Sequence, residues 1–199
     1  MAYDFSALKV LVVDDSKYMR TVFREFLNAL GIKRGKIAEC ANGEDALEAF
    51  HIFSPDLIIT DYLMEPVDGL ELTRKIRRDE NELASFTPII LCTGYTEPER
   101  VEEARDAGVH EVLAKPITAE ALYARVRNII EHPRDFERSD DYIGPDRRRR
   151  TEEVEDQKRE ADGVIGIDDG AMPPDPTQDD PTEADATDTG EDAQPGTAA

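Results

Sequence analysis

Leu57-Ile58-Ile59-Thr60-Asp61 is the stretch on which the fold turns. Pro55 and Asp56 punctuate its start, and Leu63, Met64, Glu65 and Pro66 separate it from the next helix. A short apolar run bounded by turn signals reads as a strand of a parallel sheet covered on both faces. In open parallel sheets, chemistry gathers just beyond the carboxyl ends of the strands. Asp61 stands at that place. Taken alone, a carboxylate there more often ends a strand and opens a turn; the rest of the chain reverses that reading.

Upstream, residues 8–13 form an apolar run into Asp14-Asp15. Met19, Val22, Phe23, Phe26, Leu27 and Leu30 then recur at helical spacing with Lys17, Arg20, Arg24 and Glu25 between them, and Gly31 stops the helix. Residues 36–40 read as a second strand, and Asn42 caps a helix carrying Ala46, Leu47, Ala49 and Phe50. Downstream of Asp61, Asp68 with Glu71 three residues later opens a helix through Leu72 and Ile76. Residues 88–92 give a fourth strand, ending at Thr93-Gly94. Thr96 with Glu99, and Pro98 in the first turn, predicts the start of the fourth helix, which Gly108 terminates. Residues 111–114 are a short fifth strand before Lys115-Pro116. Thr118 caps a last helix with Leu122, Val126, Ile129 and Ile130 on one face, closed by Pro133. Strand and helix alternate five times, which implies an α/β fold: a five-stranded parallel sheet with helices on both faces and right-handed crossovers.

The strand ends supply Asp14 and Asp15, Asp61, Thr93 and Lys115. Three carboxylates brought together repel, each pair at ~4 Å costing about 4 kcal/mol at an effective dielectric near 20. A divalent cation and a lysine relieve that repulsion. Small hard cations such as Mg²⁺ take one or two carboxylates, keep waters and share oxygens with a phosphoryl group. The set reads as a metal-assisted phosphoryl site in which cations neutralise the equatorial oxygens, a hydroxyl donates to one, and a carboxylate attacks in line. His51, His110 and His132 do not cluster in the sequence pattern, and Ser16 reads as a helix-start residue.

These residues carry a family resemblance. Over roughly residues 7–131 the chain resembles the receiver domain of bacterial two-component response regulators. The resemblance rests on Asp14-Asp15, on Asp61 followed eight residues later by Gly69, on Thr93 and on Lys115-Pro116, in that order and spacing. It implies a flavodoxin-like strand order 2-1-3-4-5. It implies that Asp61 accepts a phosphoryl group from a phosphohistidine on a sensor histidine kinase or histidine phosphotransfer protein. It further implies that Asp14 or Asp15 and Asp61 bind Mg²⁺ with the backbone carbonyl of Leu63, that Thr93 and Lys115 hold phosphoryl oxygens, and that the Lys115-Pro116 bond is cis. On this reading the protein is no enzyme beyond self-catalysed phosphotransfer. It signals by protein–protein contact, through the face built from the fourth helix, fifth strand and fifth helix, a face through which receivers also homodimerise.

The chain departs from the family pattern at two places. Glu65 displaces the proline that often follows Met64, to Pro66. Val112 stands where an aromatic ring usually moves with Thr93, which leaves Tyr95 as another source of a ring. Leu63 and Tyr95, each two residues beyond Asp61 or Thr93, flank the approach of a hydrolytic water, so slow loss of the phosphoryl group is expected. Two other classes compete with the signalling reading. A degenerate receiver would serve as a scaffold. An aspartyl-nucleophile phosphatase would carry its nucleophile on the first strand with a second Asp two residues later, unlike the adjacent pair here.

Length and charge bound the rest. The chain of 199 residues has room for one compact domain and a tail. Residues 1–132 are assigned to the receiver, 133–150 to an aromatic and Arg-rich segment, and 151–199 to an acidic tail. The tail holds 16 acids and 2 bases, two thirds of the net charge of -21. Low hydrophobicity with such charge predicts disorder, with Val164-Ile165-Gly166-Ile167 as a small apolar island. No apolar run is long enough to span a membrane, no signal peptide is present, and Cys40 and Cys92 suit free thiols, which together predict a cytoplasmic protein. An acidic chain without a helix–turn–helix pattern is not expected to bind DNA. Phe136, Tyr142, Gly144-Pro145 and Arg147 to Arg150 leave two readings of their segment open: a solvated basic linker, or a segment that folds back or binds a partner.

Overall fold

The computed structural model describes residues 4–95, 97–139 and 142–146. Five parallel strands lie in the order β2-β1-β3-β4-β5. They are β1 (Val10–Val13), β2 (Ile37–Cys40), β3 (Leu57–Asp61), β4 (Ile89–Thr93) and β5 (Glu111–Ala114). The three central strands β1, β3 and β4 are buried along their whole length, as their unbroken apolar runs require. Helices α1 (Lys17–Ala29) and α6 (Ala119–Glu131) cover one face; Phe23, Leu27, Leu122 and Val126 pack there on Val10, Val12, Ile59, Ile90 and Cys92. On the other face α2 (Gly43–Phe53) and α3 (Gly69–Arg77) pack Ala46, Phe50, Leu72 and Ile76 on Leu11, Val13, Ile58 and Ile89. Alternate residues of each strand thus feed opposite cores.

Side chains fix the helix starts where the sequence places them. Ser16, Asn42, Asp68 and Thr118 each accept a hydrogen bond from the backbone N–H three residues on. Helix α5 (Pro98–Asp106) is different. Its N-cap is Glu97, which makes no side-chain cap bond, and Pro98 stands in the first turn as expected; the capping box expected from Thr96 lies outside the described residues. Ile130 also departs from expectation. It lies about 80° around the helix from Leu122, at the edge of the apolar face, and is exposed. Cys40 and Cys92 are free thiols. Among the described residues no helix is long and apolar enough to cross a membrane.

Two elements were not foreseen. One is a single turn, α4 (Glu82–Ser85), capped by Asn81. The other is an antiparallel hairpin of β6 (Phe136–Arg138) and β7 (Ile143–Pro145). Of the two readings left open for this segment, residues 134–139 and 142–146 show the one that folds back. Phe136 stacks on Phe86 with ring centroids 4.4 Å apart. Arg134 donates to the carbonyls of His110 and Asp146. Gly108 and Gly144 meet backbone to backbone: a Cβ on Gly144 would lie 2.8 Å from the Gly108 Cα, and one on Gly108 would lie 2.6 Å from the Ile143 carbonyl oxygen. Arg147 to Arg150 and residues 151–199, with the expected acidic disorder and the apolar island, lie outside the described residues.

The hairpin closes over Arg77, whose side chain is almost wholly buried. No carboxylate pairs with it in the described structure. Its Nε donates to the Gly108 carbonyl at 3.0 Å, and its Nη1 to the carbonyls of Ser85 and Thr87 at 2.8 and 3.0 Å. Its Nη2 faces His110 Nδ1 at 3.2 Å, and the Phe136 ring lies 5.3 Å from its Cζ. Burial pushes this guanidinium down to about 9, so it is still charged at pH 7. The same burial, with the charges of Arg77 and Arg134, holds His110 well below 6.5 and hence neutral.

A histidine with a depressed folded pKa binds its proton more readily in the unfolded chain, so stability is complete above about 6.5 and falls as the pH drops below it. Between pH 7.5 and 5.5 the urea midpoint of the native chain should fall further than that of His110→Gln; equal losses would refute this account. The hairpin predicts a second result. A chain ended at Pro133 should be roughly 2–3 kcal/mol less stable than one ended at Asp146, because an aromatic pair loses its burial and stacking. Coincident urea curves for the two chains would count the hairpin out of the fold.

Candidate functional site

The register of the sheet builds the site. Val13 pairs with Thr60, Asp61 with Cys92, and Thr93 with Ala114, so the residues that end β1, β3, β4 and β5 arrive on one edge. Asp14 follows β1 level with Asp61, and Lys115 follows β5. One oxygen from each of Asp14, Asp15 and Asp61 lies within 4.8 Å of the others. The Lys115 ammonium stands 2.8 Å from Asp61 Oδ1 and 3.7 Å from Asp14 Oδ2. The structure therefore brings together the three carboxylates and the lysine that the sequence picked out.

The local chain explains each position. Asp14 is fully buried; its Oδ1 accepts from the Ser16 N–H at 2.8 Å, while Oδ2 has no hydrogen-bond partner. Burial is the main force raising the Asp14 carboxyl above its ordinary value; the Ser16 N–H opposes it and the neighbouring Asp61 charge adds to it. A buried carboxylate oxygen without a donor, beside two more carboxylates, suits a small hard cation. Burial disfavours the charge on Lys115, but the hydrogen bond and charge of Asp61, with Asp14, outweigh it and hold the ammonium above its usual pKa. Asp61 Oδ1 also accepts from the Tyr62 N–H at 2.8 Å. Thr93 is buried, and its Oγ1 accepts from the Tyr95 N–H at 2.9 Å. The peptide bonds Lys115-Pro116 and Glu65-Pro66 are both cis.

Gly69 is fixed by Asp61 itself. Its N–H donates to the Tyr62 carbonyl, and a Cβ there would lie 2.1 Å from the Asp61 carbonyl oxygen. The turn after β3 therefore admits only glycine at this point, which gives the eight-residue spacing a steric cause. Leu63 and Tyr95 stand at the rim, 54% and 44% exposed. Val112 packs in a small cluster with Tyr62, Leu70 and Leu91.

Two contributors escaped the sequence reading. Arg20, placed only among the polar residues of α1, donates to the Asp14 carbonyl at 2.6 Å and the Asp15 carbonyl at 3.3 Å, bracing the acidic loop. Tyr62, next to Asp61, is buried and its hydroxyl donates to Glu103 of α5 at 3.1 Å. A pattern of apolar spacing carries no signal for either, since both act through polar atoms across the chain.

Residues 10–127 match the family described as the response regulator receiver domain. The chain belongs to that family, whose members are the receivers of two-component systems. Among its curated relatives, the chemotaxis protein CheY of Pseudomonas aeruginosa is 32% identical over 124 residues, 62% of this chain and 97% of that protein. Among solved structures, the chemotaxis protein CheY4 of Vibrio cholerae is similar with a TM-score of 0.56 at 30% identity, over 61% of this chain and 98% of that one. The receiver domain of the sensor histidine kinase PA1611 from Pseudomonas aeruginosa has the same TM-score at 28% identity, over 62% of this chain and 98% of its own. That structure is described with a magnesium ion coordinated in its active-site cleft.

Proposed function

We propose that this receiver is a phosphoacceptor that takes a phosphoryl group from phosphohistidine onto Asp61 and signals by protein–protein contact. The observation that carries this is the Lys115 ammonium 2.8 Å from Asp61 Oδ1, with Asp14, Asp15 and Thr93 on the same edge. Oδ1 is held by Lys115 and the Tyr62 N–H, while Oδ2 takes no hydrogen bond among the described residues and is left to attack. The new bond is Asp61 Oδ2 to phosphorus. The phosphorus–nitrogen bond of the donor breaks, its electron pair stays on the imidazole, and a solvent proton leaves the donor histidine neutral. Lys115 and the Thr93 hydroxyl would balance the charge growing on the phosphoryl oxygens.

Asp14, Asp15 and Asp61, with the Leu63 carbonyl, would hold Mg²⁺; when bound, the ion would screen the carboxylates and neutralise phosphoryl oxygens. The partners on this reading are a sensor histidine kinase or histidine phosphotransfer protein and a downstream protein, in the cytoplasm. The surface of α5, β5 and α6 is the face for that output, and for a homodimer. No turnover of a separate substrate is part of the proposal. The phosphatase reading is disfavoured by the placement of Asp61 on the third strand, with Asp14 and Asp15 adjacent rather than two apart.

Acetyl phosphate with Mg²⁺ should add one phosphoryl group to the full chain by intact mass, and none to Asp61→Asn. A folded chain that takes up none, from acetyl phosphate or from a kinase donor, would support a scaffold instead. Leu63 and Tyr95 flank the site with bulk rather than with short polar groups. Replacing both with asparagine should speed loss of the phosphoryl group by about tenfold; an unchanged lifetime would show that they do not guard it.

A further inference from the structure

Helix α5 is weakly held by apolar packing. Its sequence, PERVEEARD, is mostly charged, and Ala104 is its only buried residue. A polar knot ties it to the sheet instead. The Tyr62 hydroxyl donates to Glu103 Oε2 at 3.1 Å and accepts from Arg100 at 2.9 Å. Arg100 also pairs with Glu103 at 3.2 Å, and its guanidinium lies 5.7 Å from the centre of the Tyr62 ring. Arg74 of α3 reaches Glu103 from the other side at 3.6 Å.

Tyr62 thus has two ends with different attachments. Its backbone N–H is shared between the Cys92 carbonyl, at 2.9 Å, and the very oxygen of Asp61 that Lys115 contacts, at 2.8 Å. Its phenol is fastened to α5. Its ring stands 6.1 Å from that of Tyr95, whose own N–H is bonded to Thr93 Oγ1. Both residues that would meet a phosphoryl group, Asp61 and Thr93, are therefore one hydrogen bond from this aromatic pair. Val112 is part of the same cluster and brings no ring of its own.

We propose that Tyr62 is a positioning residue that ties the state of Asp61 to helix α5 through its hydroxyl bonds to Glu103 and Arg100, in place of an aromatic residue at position 112. The inference rests on Asp61 being the phosphoacceptor. Formation of the acyl phosphate on Asp61 moves its negative charge out onto the phosphoryl oxygens, so the Tyr62 N–H keeps the Cys92 carbonyl but loses its charged acceptor, and Lys115 gains a competing one. A Thr93 hydroxyl turned toward the phosphoryl group draws the Tyr95 backbone with it, and the ring of Tyr95 bears on that of Tyr62. Both changes reach α5 by way of one phenol, and by linkage the clamp on α5 acts back on the stability of the phosphorylated state.

The test uses the full chain, with Mg²⁺ and acetyl phosphate, and reads two quantities together. Intact mass gives the phosphoryl occupancy of each variant, and backbone amide spectra give the shift of residues 98–106 between the free and phosphorylated forms at matched occupancy. The native chain should show that shift, and Tyr62→Phe, which keeps the ring and the N–H, should lose about half of it or more. Glu103→Gln should reduce it as well, and serves if Tyr62→Phe folds poorly. A merely structural role would alter the free form and leave the difference on phosphorylation intact. Phosphorylated Tyr62→Phe and Glu103→Gln chains with native shifts in α5 would overturn the inference while leaving the phosphoacceptor reading in place. A native chain that takes up no phosphoryl group would remove both.

Discussion

The molecule depends on keeping like charges together at one edge of a parallel sheet. Asp14, Asp15 and Asp61 gather there because the strand register leaves them no other place. Lys115 offsets part of their repulsion, and its raised pKa records how strongly Asp61 and Asp14 hold it. The buried Asp14 oxygen without a hydrogen bond shows that the protein alone does not complete the balance. A site left incomplete in this way has the chemistry to take a small hard cation, as proposed above. The surrounding parts follow from that requirement. Arg20 braces the carbonyls of the acidic loop, and Gly69 lets the chain turn back against the Asp61 carbonyl.

A second buried charge solves the opposite problem in the opposite way. Arg77 spends its donors on neutral groups: the carbonyls of Gly108, Ser85 and Thr87 and the ring of His110. These carbonyls are orphans at the ends of short elements, so one guanidinium satisfies several groups that burial would otherwise strand. The hairpin covers that arrangement with Phe136, beyond the residues that match the family. His110 stays neutral beside the guanidinium and accepts from it and from the Ile89 N–H. The two ends of the molecule differ in kind: one is left open for ions, and the other is sealed by its own chain.

Which parts were legible in the sequence follows from this difference. Asp14, Asp61, Thr93 and Lys115 were readable because each directly follows or ends a short apolar run, and a parallel sheet collects such ends. The helix caps were readable because Ser16, Asn42, Asp68 and Thr118 act three residues away. Arg77 was not, because three of its hydrogen bonds go to backbone carbonyls, as far as 31 residues away, which carry no residue code. The hairpin was left undecided for a related reason: part of its docking is the close approach of Gly108 and Gly144, where the signal is an absent side chain. Tyr62 was overlooked because an aromatic after a strand reads as core, and its hydroxyl has no periodicity to betray it.

The two fastenings of α5 are unequal, and that inequality shapes how it moves. Along the helix it is held by Arg100 and Glu103, partly exposed side chains whose bonds water competes for. Beyond its last turn, Ala107, Gly108 and Val109 are buried, with Arg77 bonded to the Gly108 carbonyl and the hairpin pressed against the same glycine. A helix clamped firmly beyond its carboxyl end and loosely along its exposed side would answer a pull at Tyr62 by pivoting, not by sliding. The amino end of the helix, which follows Thr93 and Tyr95, then sweeps furthest. On the coupling proposed through Tyr62, small changes beside Asp61 would reach α5 with their largest amplitude where the helix begins, while the hairpin pressed on Gly108 would hold its far end.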